Sequence, residues 1–261
     1  MMDAPVLVVE RADRVATVTL NRPAVRNALD AALLGDLRAA MAGLDTDGEV
    51  DVVVLTGADP AFCAGLDLRQ LGSSGENMSN GTRDDGVPSW FPWAPLTKPV
   101  IGAINGFAVT GGLELALNCD ILIASERARF ADTHARVGVL PGWGLSVLLP
   151  LMVGRGLARR MSLTGDYLSA DEALRAGLVT EVVAHEDLLP AARRVAASIV
   201  GNDQAGVRAL LRSYRDIEAA LVGDGPGIEA ATSAAWRAGF DPAEVERRRA
   251  GVIDRGRAQT A

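Results

Sequence analysis

Before Pro141 the hydrophobic positions fall into short dense runs parted by turn residues; after it they recur mainly at helical spacing. Val15–Leu20 alternates and is rich in β-branched residues, which predicts a strand that Asn21-Arg22-Pro23 then breaks. From Leu29 to Leu44 the spacing turns helical, with Asn27 or Asp30 available as the cap. Val50–Thr56 is dense in Val and Leu, as a strand buried on both faces would be. Val100–Ile104 and Ile121–Ala124 predict two more short strands, with a helix through Glu114 between them. Gly57–Pro60 reads as a loop, and the Gly/Ser/Asn-rich stretch from Leu71 to Pro95 carries no period. Beyond Pro141, residues 143–163, 170–177, 186–200, 203–221, 226–238 and 241–256 predict helices, interrupted by the extended segment Val179–Val183. Strands alternating with helices and then helices alone predict an α/β core over residues 1–200 and a C-terminal helical region over 201–261.

Composition narrows the function. The 261 residues are 49% hydrophobic, enough for a large packed core. A net charge of −7 and a pI near 5.0 give no reason to expect nucleic acid or an anionic membrane as partner. The first residues lack a basic, then apolar, leader pattern, and no run approaches 18 apolar residues, so neither a signal peptide nor a membrane span is expected. Two cysteines (Cys63, Cys119) and two histidines (His134, His185) lack the spacing of a disulfide framework or a metal cluster. Two lone thiols suit a reducing cytoplasm.

The stretch with the most chemistry is Gly111-Gly112-Leu113-Glu114, just past the run that ends at Ile104. Two glycines ahead of an apolar segment read as a strand, a tight turn and a helix start. The first N–H groups of a helix lack intrahelical partners and sit at its positive end. The Gly111 N–H is thereby a candidate donor to an oxygen that becomes negative during a reaction, with Glu114 one turn away as acid or base. Taken alone, the same four residues are more often plain turn chemistry, with a first-turn Glu favoured by the helix dipole.

Other segments shift that balance. Asn21-Arg22-Pro23 with Asn27-Ala28-Leu29, Phe62-Cys63-Ala64-Gly65-Leu66-Asp67, Lys98-Pro99-Val100, Asn105-Gly106, Gly111-Gly112-Leu113-Glu114-Leu115-Ala116, Cys119-Asp120 and Leu163-Thr164-Gly165 occur in one order over roughly residues 6–255. Together they resemble the crotonase, or enoyl-CoA hydratase/isomerase, superfamily. The resemblance implies a ββα spiral core and a C-terminal helical region that assembles trimers, often paired as hexamers. It implies an acyl-CoA thioester as substrate and no cofactor beyond the CoA the substrate carries. It also implies an oxyanion hole made by the N–H groups of Leu66 and Gly111.

Polarising a thioester carbonyl acidifies the α-carbon and makes a conjugated β-carbon electrophilic. A hydratase of this family adds water with two glutamates. Glu114 matches the first; the position of the second falls on His134, in Phe130-Ala131-Asp132-Thr133-His134. Histidine can carry a proton either way near neutrality, so a Glu114/His134 pair can do acid–base work. The expectation is therefore a trans-2-enoyl-CoA hydratase. Double-bond isomerisation by Glu114 alone, or acyl-CoA binding without turnover, is the alternative. The resemblance also places Arg26 near CoA phosphates, with a solvated surface arginine as the equal alternative, and Ala64 near the adenine. Trp90, Phe91, Trp93 and Trp143 are candidate walls of an acyl pocket, or core, and Phe240 a candidate cap. Asp132 has nothing in its position to recommend it, Asp67 reads as a turn or cap residue, and Cys63 as a small buried thiol.

Overall fold

The computed structural model describes residues 4–74, 77 and 91–260. Along the chain run β1 (Leu7–Ala12), β2 (Val15–Leu20), α1 (Ala31–Thr46), β3 (Val52–Gly57), β4 (Ala61–Cys63), α2 (Leu68–Ser73), β5 (Val100–Ile104), β6 (Phe107–Val109) and α3 (Gly111–Leu117). There follow β7 (Ile121–Ser125), β8 (Arg129–Ala131), α4 (His134–Val137), α5 (Leu145–Val153), α6 (Arg155–Thr164), β9 (Leu168–Ser169) and α7 (Ala170–Ala176). The chain closes with β10 (Glu181–Val183), α8 (Leu188–Val200), α9 (Gln204–Val222), α10 (Gly225–Arg237) and α11 (Pro242–Thr260).

Among the described residues the strands form two sheets. The larger has the order β1-β2-β3-β5-β7-β10, antiparallel only between β1 and β2; the smaller runs β4-β6-β8-β9. The unit β3–β4–α2 repeats as β5–β6–α3 and β7–β8–α4, each step moving one strand along both sheets. This is the ββα spiral, and it brings the starts of α2, α3 and α4 to one edge of the small sheet.

The registers Val53↔Val100 and Ile101↔Ile121 put β-branched side chains on both faces. Val53 and Leu55 point into the main core with Leu33, Leu37 and Met41 of α1; Val52 and Val54 point to the opposite face, against Leu188, Ala191 and Ala192 of α8. Burying each such Val or Leu side chain contributes about 1.5–3 kcal/mol, which is why a run without alternation is stable here as a central strand. Lys98, the only lysine in the chain, is buried and donates from Nζ to the carbonyls of Leu44 and Asp47 at 2.6 Å each. It thereby satisfies orphan acceptors at the C-terminus of α1 and positions the start of β5.

Several expectations shift. Asp30, not Asn27, caps α1, accepting from Leu33 N at 2.8 Å; Asn27 is buried with φ +55° and ties the neighbouring loop. The single helix expected over 143–163 is two, because Gly144 and Gly154 adopt positive φ and begin α5 and α6 separately. Strand β1 gave no periodic signal because it is a half-exposed edge, and β4, β6, β8 and β9 are too short to show one. In the C-terminal region, α10 packs on α5, and α11 folds back on α2 and α4. Among the described residues no helix is long and apolar enough to cross a membrane.

Candidate active site

Two close backbone approaches shape the site. Gly65 takes φ +88°, and a Cβ there would stand 2.8 Å from Val109 O and 3.4 Å from Gly111 N. A Cβ on Gly112 would overlap the carbonyl oxygen of Cys63. Only glycine lets the turn after β4 lie against the first residues of α3. Leu29 pairs with this turn as a short parallel bridge, its N–H donating to Gly65 O at 2.8 Å and its carbonyl accepting from Asp67 N at 2.9 Å. The ladder therefore uses the groups on either side of Leu66 and leaves the Leu66 N–H out of it. Gly111 opens α3, and its nitrogen lies close to Gly65, the residue before Leu66. Asp67 caps α2 through Arg69 N at 3.0 Å and pairs with Arg22 at 3.1 Å, the structural role expected of it.

Glu114, in the first turn of α3, is buried. Its Oε1 accepts from Gly142 N at 3.0 Å and Trp143 N at 2.7 Å, and its Oε2 lies 3.5 Å from His134 Nε2. The last contact is longer than a good hydrogen bond, so the Nε2 proton is not committed to Glu114. Glu229, on α10, accepts from the next N–H groups of the same turn: Gly144 N on Oε1 and Ser146 N on Oε2, both at 2.6 Å. Burial, and then the charge of Glu114, push the Glu229 carboxyl upward. Nothing local in the sequence marks Glu229, which lies far along the chain from the turn it holds.

His134 opens α4 and is buried. Its Nδ1 is 2.6 Å from Asp132 Oδ1, which also accepts the His134 backbone N–H at 3.1 Å. Asp132 thus overturns the reading that its position recommends nothing. An Asp two residues before the helix's first residue turns its carboxylate back onto that residue, and an Asp-x-His pair at a helix start is the signal that could have shown it. Burial lowers the imidazole pKa, but the hydrogen bonds and charges of Asp132 and Glu114 outweigh it, and the value rises to about 10. Burial raises the Asp132 carboxyl less than its bonds to His134 lower it. At neutral pH the ring is accordingly an imidazolium, with Nδ1–H on Asp132 and Nε2–H toward Glu114.

Glu114, His134, Leu66 and Trp143 line one cavity of about 40 Å³, together with Asn77, Val139, Leu140, Ser233 and Trp236. Trp90 lies outside the described residues. Phe91 is partly buried, and Trp93 is a buried member of the main core, correcting the expectation that it walls an acyl pocket. Phe240, expected as a cap, packs with Leu71, Val137 and Val245, and Trp236 is the aromatic residue of α10 that lines the cavity. Cys63 is buried, and burial pushes its thiol up to about 12, so it is no nucleophile.

Leu66 and Val139 also border a second, open cleft of about 470 Å³, so the two spaces share these residues as walls. Arg26 and Ala64 line this cleft along with Arg69, Arg249 and Arg257. The Arg26 guanidinium lies 5.3 Å over the Phe107 ring, and its carbonyl accepts from Ala64 N at 3.0 Å.

The enoyl-CoA hydratase/isomerase family model matches residues 10–221. A probable peroxisomal enoyl-CoA hydratase 1 of Arabidopsis thaliana is 44% identical over 191 residues, 73% of this chain and 71% of that one. A probable enoyl-CoA hydratase of Rhizobium meliloti is 42% identical over 198 residues, 76% of each. The crystal structure of an enoyl-CoA hydratase from Mycobacterium smegmatis superimposes with a TM-score of 0.81 at 61% identity, covering 91% of this chain and all of that one. A buried Glu114 facing a glycine-built turn, on a ββα spiral matched over most of its length, makes this chain a member of the enoyl-CoA hydratase/isomerase family.

Proposed function

We propose that this protein is a trans-2-enoyl-CoA hydratase in which Glu114 and His134 are the acid–base pair. The observation that carries the reading is the 3.5 Å approach of Glu114 Oε2 to His134 Nε2 inside one cavity. Isomerisation by a lone shuttle has no use for a second, protonated group there. The N–H groups of Leu66 and Gly111 receive the thioester oxygen and stabilise the charge that grows on it. The cleft carrying Arg26, Arg249 and Arg257 offers guanidinium groups to the CoA phosphates, and Ala64 a backbone edge to the adenine.

The proton inventory closes. Glu114 takes a proton from water as its oxygen bonds to C3, and the π electrons move through C2 onto the thioester oxygen. His134 Nε2–H then delivers its proton to C2, giving the 3-hydroxyacyl thioester. The enzyme is left with a protonated glutamate and a neutral imidazole, and one transfer between Glu114 and His134 restores the start. No cofactor is needed.

Two free buried cysteines fit a reducing compartment such as the cytoplasm. Leu210, Tyr214, Ile217 and Leu221 form an exposed apolar stripe along α9, a helix without buried residues among those described, and this supports a homotrimer or hexamer.

Purified protein mixed with crotonyl-CoA and longer trans-2-enoyl-CoAs is expected to abolish the conjugated enoyl-thioester absorbance and yield 3-hydroxyacyl-CoA. Binding without loss of absorbance would overturn the reading. Because the acid is an imidazolium whose pKa is raised to about 10, kcat is expected to hold through neutrality and fall as pH rises through that value. Asp132→Asn removes one of the two carboxylates that raise His134. The alkaline limb of its pH profile should move down by about one to three units; an unmoved limb would detach Asp132 from the chemistry.

A further inference from the structure

We propose that Asn77 orients the attacking water, its side-chain oxygen accepting the water proton that Glu114 does not take. The inference rests on the hydratase reading and concerns the same cavity.

Asn77 is buried, and its Nδ2 donates to the carbonyls of Leu29 and Asp67 at 3.0 Å each. Both amide hydrogens are thereby spent on the two backbone segments joined by the bridge at Leu66. Turning the amide over would set its oxygen against two carbonyl oxygens, so the network fixes which atom is which. The remaining atom, Oδ1, is buried and has no hydrogen-bond partner among the described residues. Asn77 lines the cavity shared by Glu114 and His134. An acceptor left unpaired away from bulk water is costly and calls for a donor.

The mechanism supplies that donor. Water attacks through a lone pair, and its direction is set only when both of its hydrogens are held. Glu114 Oε2 holds one. His134 cannot hold the other, because as an imidazolium it donates from both nitrogens. Glu114 Oε1 already accepts from Gly142 and Trp143. A cavity of about 40 Å³ has room for ordered water, and Asn77 Oδ1 is an open acceptor in it. When the C3–O bond forms, the proton held by Glu114 leaves the water. The proton held by Asn77 stays on oxygen and becomes the hydroxyl hydrogen of the 3-hydroxyacyl product.

A residue that handles only water can be separated from one that merely shapes the site. Exchange of the α-protons of saturated butyryl-CoA with deuterium oxide uses the oxyanion hole and the Glu114/His134 pair but no water nucleophile. Asn77→Ala also removes the two bonds to Leu29 and Asp67, so some loss is common to both reactions; kcat for hydration of crotonyl-CoA is expected to fall about a hundredfold further than α-exchange of butyryl-CoA, the usual cost of losing orientation. If both activities fall by the same factor, Asn77 is a scaffold residue and the proposal is overturned; if neither falls, the water is held elsewhere and it is overturned equally. Wild-type protein that exchanges α-protons but does not hydrate would overturn the hydratase reading itself, and that failure appears before any variant is made.

Discussion

Glu114→Gln is expected to lower hydration by about 10²–10⁴-fold, the range for removing a positioned acid–base group, while leaving acyl-CoA binding nearly intact. The glutamine oxygen can keep the bonds from Gly142 N and Trp143 N, so the turn over the cavity should stay in place. What is lost is the negative Oε2 opposite His134, replaced by an amide nitrogen that faces Nε2–H donor to donor. Because His134 must pass its proton to Glu114 before Nε2 can take one from C2, α-proton exchange of butyryl-CoA should fall together with hydration, unlike the split expected at Asn77. A Glu114→Gln protein with kcat within tenfold of wild type would remove Glu114 from the chemistry. Steady-state hydration kinetics beside direct binding of butyryl-CoA make the measurement.

His134→Ala is expected to cost both activity and stability. It removes the proton donor for C2, again worth about 10²–10⁴-fold in kcat. It also leaves Glu114 and Asp132, both buried, without the cation between them. Breaking a buried pair by taking one partner typically costs about 3–5 kcal/mol, because the remaining charge is uncompensated. The sign of the pH dependence follows from the raised pKa. A group held at about 10 in the fold and near 6.5 when unfolded stabilises fully below the lower value and loses that stabilisation as pH climbs through the upper one. The melting-temperature gap between wild type and His134→Ala should therefore be widest at and below neutrality and close toward pH 10. Adding Asp132→Asn to His134→Ala should recover part of the lost stability by removing one stranded charge, a non-additive outcome expected only of residues in contact. Equal melting temperatures at pH 7 would show that His134 is not the counter-charge of this pair.

What the sequence makes legible follows the length over which each signal is written. Strands β2, β3, β5 and β7 and helices α1 and α8 to α11 each span enough residues for a period to show, and their positions agree to within a few residues. The small sheet was invisible because its strands run two or three residues and are defined by their neighbours. Within the site, Glu114 and Gly111 are legible because a glycine pair, a helix start and an acid lie in four consecutive residues. His134 is legible only through the family position it fills. Asp132 was within reach, since its bond to His134 is local and the Asp-x-His spacing at a helix start is written in three consecutive residues. Glu229 and Asn77 were out of reach: each acts on backbone brought to it only by folding, and neither belongs to a motif.

The turn from Gly142 to Ser146 is gripped from both sides, by Glu114 of the spiral core and by Glu229 of α10. The position of the Glu114 carboxylate is consequently tied to two parts of the chain that lie far apart in sequence. The division between an α/β core and a trailing helical region is thus a division of architecture and not of labour. Grafting the C-terminal helices of a relative onto this core, or trimming them to make a smaller catalyst, would change the tension on that shared turn before it touched any substrate contact. A designer who wishes to retune this enzyme has in α10 a lever that works from behind the cavity.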